Sequence, residues 1–272
     1  MGKAILFDME NLFIIKIGGN LLDEPDGLSL FLERFSAIRE KKILVHGGGK
    51  IATRIGQRMG IAEKYQAGRR VTDEPTLELV TMVYGGLVNK KLVARLQSLG
   101  CNALGLTGAD GGLIPARKRP VRDQDFGFAG DVDYSALRAD ACQSLIRIGL
   151  VPVFAPLTFD PDAGGMLNTN GDTIASALAM ALSAFYSVRL IFCFDRPGVL
   201  ERMEDSASVI HDLDRARFEE LKSGGALHSG ILPKLTAAFE AIGHGVSQVW
   251  MGEPDQLEDH LNSGPGGTLI HP

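Results

Sequence analysis

The sequence has little cysteine, no excess of positive charge and no long apolar run, and each shortage closes a line of explanation. Its three cysteines (Cys101, Cys142, Cys193) are far apart, odd in number and set in apolar runs. They read as small core residues of a reducing compartment, not as a disulfide framework. Acidic residues outnumber basic ones, 33 to 28, for a net charge of −5, so no basic face offers itself to nucleic acid. The six histidines show no metal-ligand spacing, and His-Glu-x-x-His does not occur. No stretch approaches the roughly 20 apolar residues of a membrane helix. Asp8, Glu10 and Asn11 interrupt the early apolar residues too soon for a signal peptide, and the expectation is a cytoplasmic protein.

Glycine, by contrast, is plentiful: 33 of 272 residues, in clusters, as expected of tight turns and close backbone approach to a ligand. Strands are expected at Leu12–Ile17, Lys42–Val45, Asn102–Leu106, Leu150–Phe154, Val188–Phe194, Val246–Trp250 and Thr268–Ile270. Helical patterns fall at Leu28–Glu40, Ile51–Met59, Pro75–Leu99, Ser135–Ile148 (capped by Ser135), Gly171–Ala184, Asp214–Lys222 and Ile231–Ile242. The Pro-, Arg- and Gly-rich stretch Ile114–Val132 is expected to form antiparallel ribbons over the sheet. This alternation predicts an α/β fold, a three-layer α/β/α sandwich with a mainly parallel central sheet. Two lobes are expected, 1–185 and 186–272, meeting where helix gives way to strand near Ala184–Val188.

Three glycine-rich turns follow apolar strands: Lys16-Ile17-Gly18-Gly19-Asn20, His46-Gly47-Gly48-Gly49-Lys50 and the run Gly105 to Gly112. At the carboxyl ends of strands in an open α/β sheet, such turns expose backbone N–H groups that can cradle phosphate. Familiar nucleotide and hydrolase signatures are missing. Ile51 follows Gly49-Lys50 where a phosphate loop needs Ser or Thr, and no dinucleotide fingerprint opens a helix. No G-x-S-x-G elbow accompanies His46-Gly47-Gly48-Gly49, and protein-kinase signatures are absent.

Five motifs occur in order: Lys16-Ile17-Gly18-Gly19, His46-Gly47-Gly48-Gly49, Gly68-Arg69-Arg70-Val71-Thr72, Asn168-Thr169-Asn170-Gly171-Asp172 and Ser229-Gly230-Ile231-Leu232-Pro233-Lys234. Together they resemble the amino acid kinase family over nearly the whole chain, and within it the members that phosphorylate an N-acylated glutamate. The resemblance implies that Lys16 and Lys234 are catalytic cations on the transferring phosphoryl group, with Asp172 holding both in place. It implies that Gly47, Gly48, Arg70 and Asn168 bind the acceptor, Arg70 pairing with its α-carboxylate. Gly18, Gly19, Asp195, Ser229 and Gly230 are implied at the phosphates and nucleotide. Phe194 stands where the family shows Ser or Thr, and Ile231 where it shows Met.

The implied substrates are ATP and N-acetylglutamate, with Mg²⁺ carried mainly by the ATP phosphates and no protein metal site. N-succinylglutamate and a carrier-bound aminoadipate are alternative acceptors, and a non-catalytic amino-acid sensor is the rival from another class. A γ-carboxylate, pKa roughly 4.3, is already ionised at neutral pH, so such a reaction needs no general base. The N-terminal lobe is expected to bind the acceptor and the C-terminal lobe ATP. An arginine-insensitive homodimer is expected, joined by the helix Pro75–Leu99, because few residues precede Leu12.

Overall fold

Strand β1 (Asn11–Ile17) carries the run Leu12, Phe13, Ile14, Ile15 with every side chain buried, so both of its faces must be covered. In the computed structural model, which describes residues 9–66, 69–121, 123–202, 204–225, 227, 231–261 and 264–272, β1 lies in the middle of an eight-stranded sheet. The other sheet strands are β2 (Lys41–His46), β5 (Ala103–Leu106), β8 (Val151–Phe154), β11 (Ser187–Cys193), β12 (Asp212–Leu213), β13 (Gln248–Gly252) and β14 (Thr268–Ile270). Their order is β12-β14-β13-β11-β1-β2-β8-β5. All neighbours run parallel except the β13–β14 pair. From β1 the chain moves to β2 on one side and later returns to β11 on the other. The crevice beyond the carboxyl end of β1 is therefore a topological switch point, where open α/β sheets place ligands.

Short antiparallel ribbons sit beside that crevice: β3 (Tyr65–Gln66) with β4 (Arg69–Arg70), β6 (Ala116–Lys118) with β7 (Gly130–Val132), and β9 (Leu157–Asp160) with β10 (Gly165–Asn168). The β6–β7 ribbon lies within the stretch expected to form one. The other two escaped the sequence reading because two- to four-residue strands carry almost no periodicity. The ribbons are stitched together: the Thr72 amide donates to the Phe126 carbonyl and the Phe128 amide to the Thr72 carbonyl, on either side of Gly127, and the Asn168 amide donates to the Phe128 carbonyl at 2.9 Å.

Helices cover both faces. On one side pack α6 (Ala139–Arg147), α7 (Gly171–Leu182), α8 (Arg215–Ser223) and α9 (Leu232–Gly243). On the other lie α1 (Gly19–Leu22), α2 (Pro25–Ala37), α3 (Gly49–Arg58), α4 (Glu74–Val80), α5 (Asn89–Ser98) and α10 (Leu257–Leu261). The period of two in β1 divides its side chains between these layers: Leu12 and Ile14 face the α7 layer, while Phe13, Ile15 and Ile17 face the other. Trp250 and the three cysteines are buried, as expected of core residues.

Two helix expectations are corrected. The helix expected over Pro75–Leu99 is continuous, but Thr81–Val88 between α4 and α5 is a π-helical segment. The apolar stripe Met82, Val83, Tyr84, Leu87, Val88 reads alike at either pitch, so the sequence pattern does not separate them. The helix expected from Ser135 begins at Ala139, because Ser135 is captured by the preceding residues. Asp133 Oδ1 accepts from both the Ser135 amide (3.1 Å) and hydroxyl (2.6 Å).

Candidate active site

Lys16 is the next even residue after Leu12 and Ile14, so strand alternation aims its amine toward α7. Asp172 stands in the first turn of α7, which is capped by Asn170: Asn170 Oδ1 accepts from the Asp172 amide at 2.7 Å. Gly171 packs between them, in van der Waals reach of Lys16 Cε and the His46 carbonyl. Lys16 Nζ lies 2.6 Å from Asp172 Oδ1, and Lys234 Nζ, from the first turn of α9, donates to Oδ2 at 2.5 Å. One carboxylate thus holds two ammonium groups from opposite ends of the chain. Burial alone would raise the Asp172 pKa. The two lysines more than reverse this and hold it well below the usual carboxylate range.

The first two glycine turns meet at the same place. Gly18 precedes α1, and the Gly47 amide donates to the Ile17 carbonyl at 3.0 Å, tying one turn to the other. Gly48 has φ +157°, and a Cβ on it would lie 2.7 Å from the Tyr84 ring, so both backbone and space demand glycine. Behind the turn, His46 is fully buried. Its Nδ1 lies 2.6 Å from the Gly47 carbonyl and its Nε2 accepts from Asn89 Nδ2 at 3.1 Å. Asn89 also donates to the Val153 carbonyl. Burial pushes the His46 pKa down to about 4, so the ring is neutral, with its proton on Nδ1. The third turn plays no comparable part. A Cβ on Gly105 would strike Asn89 Oδ1 at 2.0 Å, which makes Gly105 a packing glycine on edge strand β5.

Arg70 forms the far wall. It is 8% exposed, and its Nη2 lies 2.6 Å from Glu63 Oε1 and Tyr65 Oη and 3.0 Å from Thr53 Oγ1 and the Gly49 carbonyl, which share its two hydrogens. Asn168, at the end of β10, donates through Nδ2 to Thr72 Oγ1 at 2.9 Å. Lys16, Gly47, Gly48, Arg70, Asn168 and Asp172 line one cleft of about 250 Å³, so residues from four of the five sequence motifs converge on it. Lys234 joins through Asp172. Asp195 is brought to the first turn, accepting from Asn20 Nδ2 at 2.8 Å, but lines a separate hollow with Phe194 and Glu253. Gly68, Ser229 and Gly230 lie outside the described residues.

Tyr65, Tyr84 and Arg119 also line the cleft and were not foreseen. Neither were Glu63 and Thr53, which reach it only through Arg70. Thr53 lies one turn beyond Gly49 on α3, a spacing that would have paired it with the glycine turn. Nothing local singles out Glu63 or Arg119.

Residues 11–252 match the amino acid kinase family. An acetylglutamate kinase of Cytophaga hutchinsonii is 48% identical, covering 93% of this chain and 96% of its own. One from Bacteroides fragilis is 51% identical over 88% and 91% of the two chains. Among solved structures, smu.665 from Streptococcus mutans superposes with a TM-score of 0.76 at 25% identity, over 96% of this chain and 98% of that one. Carbamate kinase from Giardia lamblia bound to AMP-PNP shares the fold at a TM-score of 0.71 and 14% identity, over 97% and 99%. With two lysines on one aspartate, paired glycine turns and this similarity along its length, the chain belongs to the amino acid kinase family, as a phosphotransferase with a carboxyl acceptor.

Proposed function

We propose that the chain transfers the γ-phosphoryl group of ATP to the γ-carboxylate of N-acetylglutamate, forming an acyl phosphate in arginine biosynthesis. The observation that carries this reading is the carboxylate of Asp172 shared by Lys16 and Lys234 at the mouth of the glycine turns. Two cations against one anion leave a net positive charge where the equatorial oxygens of a phosphoryl group in flight gather negative charge. Lys16 and Lys234 screen the repulsion between the two anionic reactants, and Asp172 fixes where the amines point. The Gly18, Gly19, Gly47 and Gly48 turns supply backbone donors. Arg70 and Asn168 hold the acceptor by its α-carboxylate and acyl group, so that the γ-carboxylate faces Lys16. No residue is required to take a proton, which suits a cleft beside which His46 is buried and neutral.

ATP would reach the site from the C-terminal lobe (186–272), with Asp195, Ser229 and Gly230 at the nucleotide, and the acceptor would bind the N-terminal lobe (1–185). Mg²⁺ would be held mainly by ATP phosphates and would neutralise their charge. Among the described residues no group of three His, Cys, Asp or Glu side chains could cage a cation, and both oxygens of Asp172 are occupied by lysines. No described helix is long and apolar enough to cross a membrane. Met82 and Leu87 are exposed on the π segment, which favours a homodimer built on the helix spanning 74–98. Light scattering at the monomer mass would contradict that.

A second acceptor would have to use Arg119, which lines the cleft and borders an adjoining hollow of about 360 Å³. Its guanidinium is paired with Asp131, and Asp123 lines the same hollow, so N-succinylglutamate would find room there but its acyl carboxylate would have to displace Asp131. Trapping the acyl phosphate with hydroxylamine tests both readings. Hydroxamate from N-acetylglutamate and ATP is expected. A tenfold or greater preference for the succinyl compound would favour the second acceptor, and no hydroxamate from either would remove the kinase reading.

A further inference from the structure

Arg70 is almost fully buried, and a desolvated guanidinium requires both a counter-charge and hydrogen-bond acceptors. Among the described residues, four acceptors crowd one nitrogen, Nη2: Glu63, Tyr65, Thr53 and the Gly49 carbonyl, and the Tyr84 hydroxyl also lies beside the guanidinium. Nη2 has two hydrogens, which these oxygens share, so that nitrogen is fully engaged, and the Nε–Nη1 edge is the part of the guanidinium that these oxygens leave to a ligand. The oxygens are themselves anchored. The Thr53 hydroxyl bonds Glu63 Oε1 and lies 2.9 Å from the Gly49 carbonyl, which ties Glu63 to the first turn of α3 and to the glycine turn before it. The Tyr65 ring lies against the guanidinium, 4.9 Å from centroid to Cζ. Burial would raise the Glu63 pKa. Thr53, Tyr65 and Arg70 outweigh it and keep the carboxyl ionised.

We propose that Glu63 is a positioning residue for acceptor recognition. With Thr53 and Tyr65 it pins one terminal nitrogen of Arg70, so that the remaining edge of the guanidinium meets the α-carboxylate of the acceptor. This rests on the reading of Arg70 as the α-carboxylate partner. A bidentate guanidinium–carboxylate pair depends on orientation as well as charge, and an arginine untethered from Glu63 keeps its charge but loses its aim. Because Thr53 links this clamp to Gly49, acceptor binding and the phosphate-side turn share one scaffold.

The test compares N-acetylglutamate with its α-amide, which keeps the γ-carboxylate and loses only the group Arg70 is said to read. In wild type the acid is expected to be preferred about a hundredfold in kcat/KM. Glu63→Gln is expected to raise the KM for N-acetylglutamate about tenfold and shrink the acid-over-amide preference by a similar factor, with kcat and the KM for ATP within about twofold. Thr53→Val, which removes one tether and no charge, is expected to move the same ratio about threefold. Unchanged acid-over-amide preference in both variants, even with a lowered Tm, would overturn the proposal, because a merely structural role would not touch that ratio. Tighter acceptor binding in Glu63→Gln would also overturn it, making Glu63 a competitor of the acceptor. If wild type phosphorylates the acid but does not distinguish it from the amide, the Arg70 reading falls and this proposal with it. If it phosphorylates neither, the kinase reading itself falls.

Discussion

The two ends of the cleft solve the same problem, a cation withdrawn from water, with different charge counts. At the proposed phosphoryl end one carboxylate, Asp172, serves two lysines and leaves a surplus positive charge. At the proposed acceptor end Glu63 serves Arg70 one to one, and neutral oxygens from Thr53, Tyr65 and Gly49 supply further contacts. A surplus charge is useful where negative charge grows during the reaction. A balanced, heavily hydrogen-bonded cation is useful where a group that does not change must be recognised. Damage at the first end should therefore appear in kcat, and damage at the second in the acceptor KM.

That division can be broken experimentally, beginning with the largest effect. Asp172→Asn keeps the shape but leaves Lys16 and Lys234 facing each other without their shared anion. Its kcat is expected to fall by about 10²–10³, with the acceptor KM changed by less than about threefold in steady-state assays. Arg70→Lys keeps the charge but abandons the planar fork. It should raise the acceptor KM by about thirtyfold with kcat nearly intact, and an equal fall in kcat would erase the distinction between the two ends. Arg119→Leu should leave turnover of N-acetylglutamate within about twofold and reduce kcat/KM for N-succinylglutamate by about tenfold, measured side by side.

A separate effect concerns stability and its pH dependence. His46, neutral when folded with a pKa of about 4, takes up its proton near 6.5 once unfolded. Its contribution is therefore fully present above pH 6.5 and is lost as pH falls toward 4, amounting to about 3 kcal/mol across that window. Denaturant unfolding between pH 7 and 4 should show His46→Gln losing less stability on acidification than wild type does.

Much of the phosphoryl end was legible in the sequence because its residues sit where local rules act. Lys16 follows the alternation of a buried strand, Asp172 opens a helix behind an Asn cap, and the glycines end strands. At the proposed acceptor end the sequence pointed to Gly47, Gly48, Arg70 and Asn168 and to none of the residues that hold Arg70. Glu63, Thr53 and Tyr65 gather around Arg70 through a two-residue hairpin and the first turns of α3, contacts that no period of two or 3.6 encodes. The π segment was hidden for a related reason: an apolar stripe reports which face is buried and not the pitch of the backbone. Ser135 shows the limit of cap rules. A good capping residue does not cap when an Asp two residues earlier holds its amide and hydroxyl first.

The most direct test of phosphoryl transfer driven by the lysine surplus is the pair kcat and acceptor KM for Lys16→Ala, read as hydroxamate formed from ATP and N-acetylglutamate. A fall of at least about a hundredfold in kcat, with KM for N-acetylglutamate within about threefold of wild type, is the expected result. An unchanged kcat, or a loss confined to KM, would place Lys16 outside the transferring centre and contradict it.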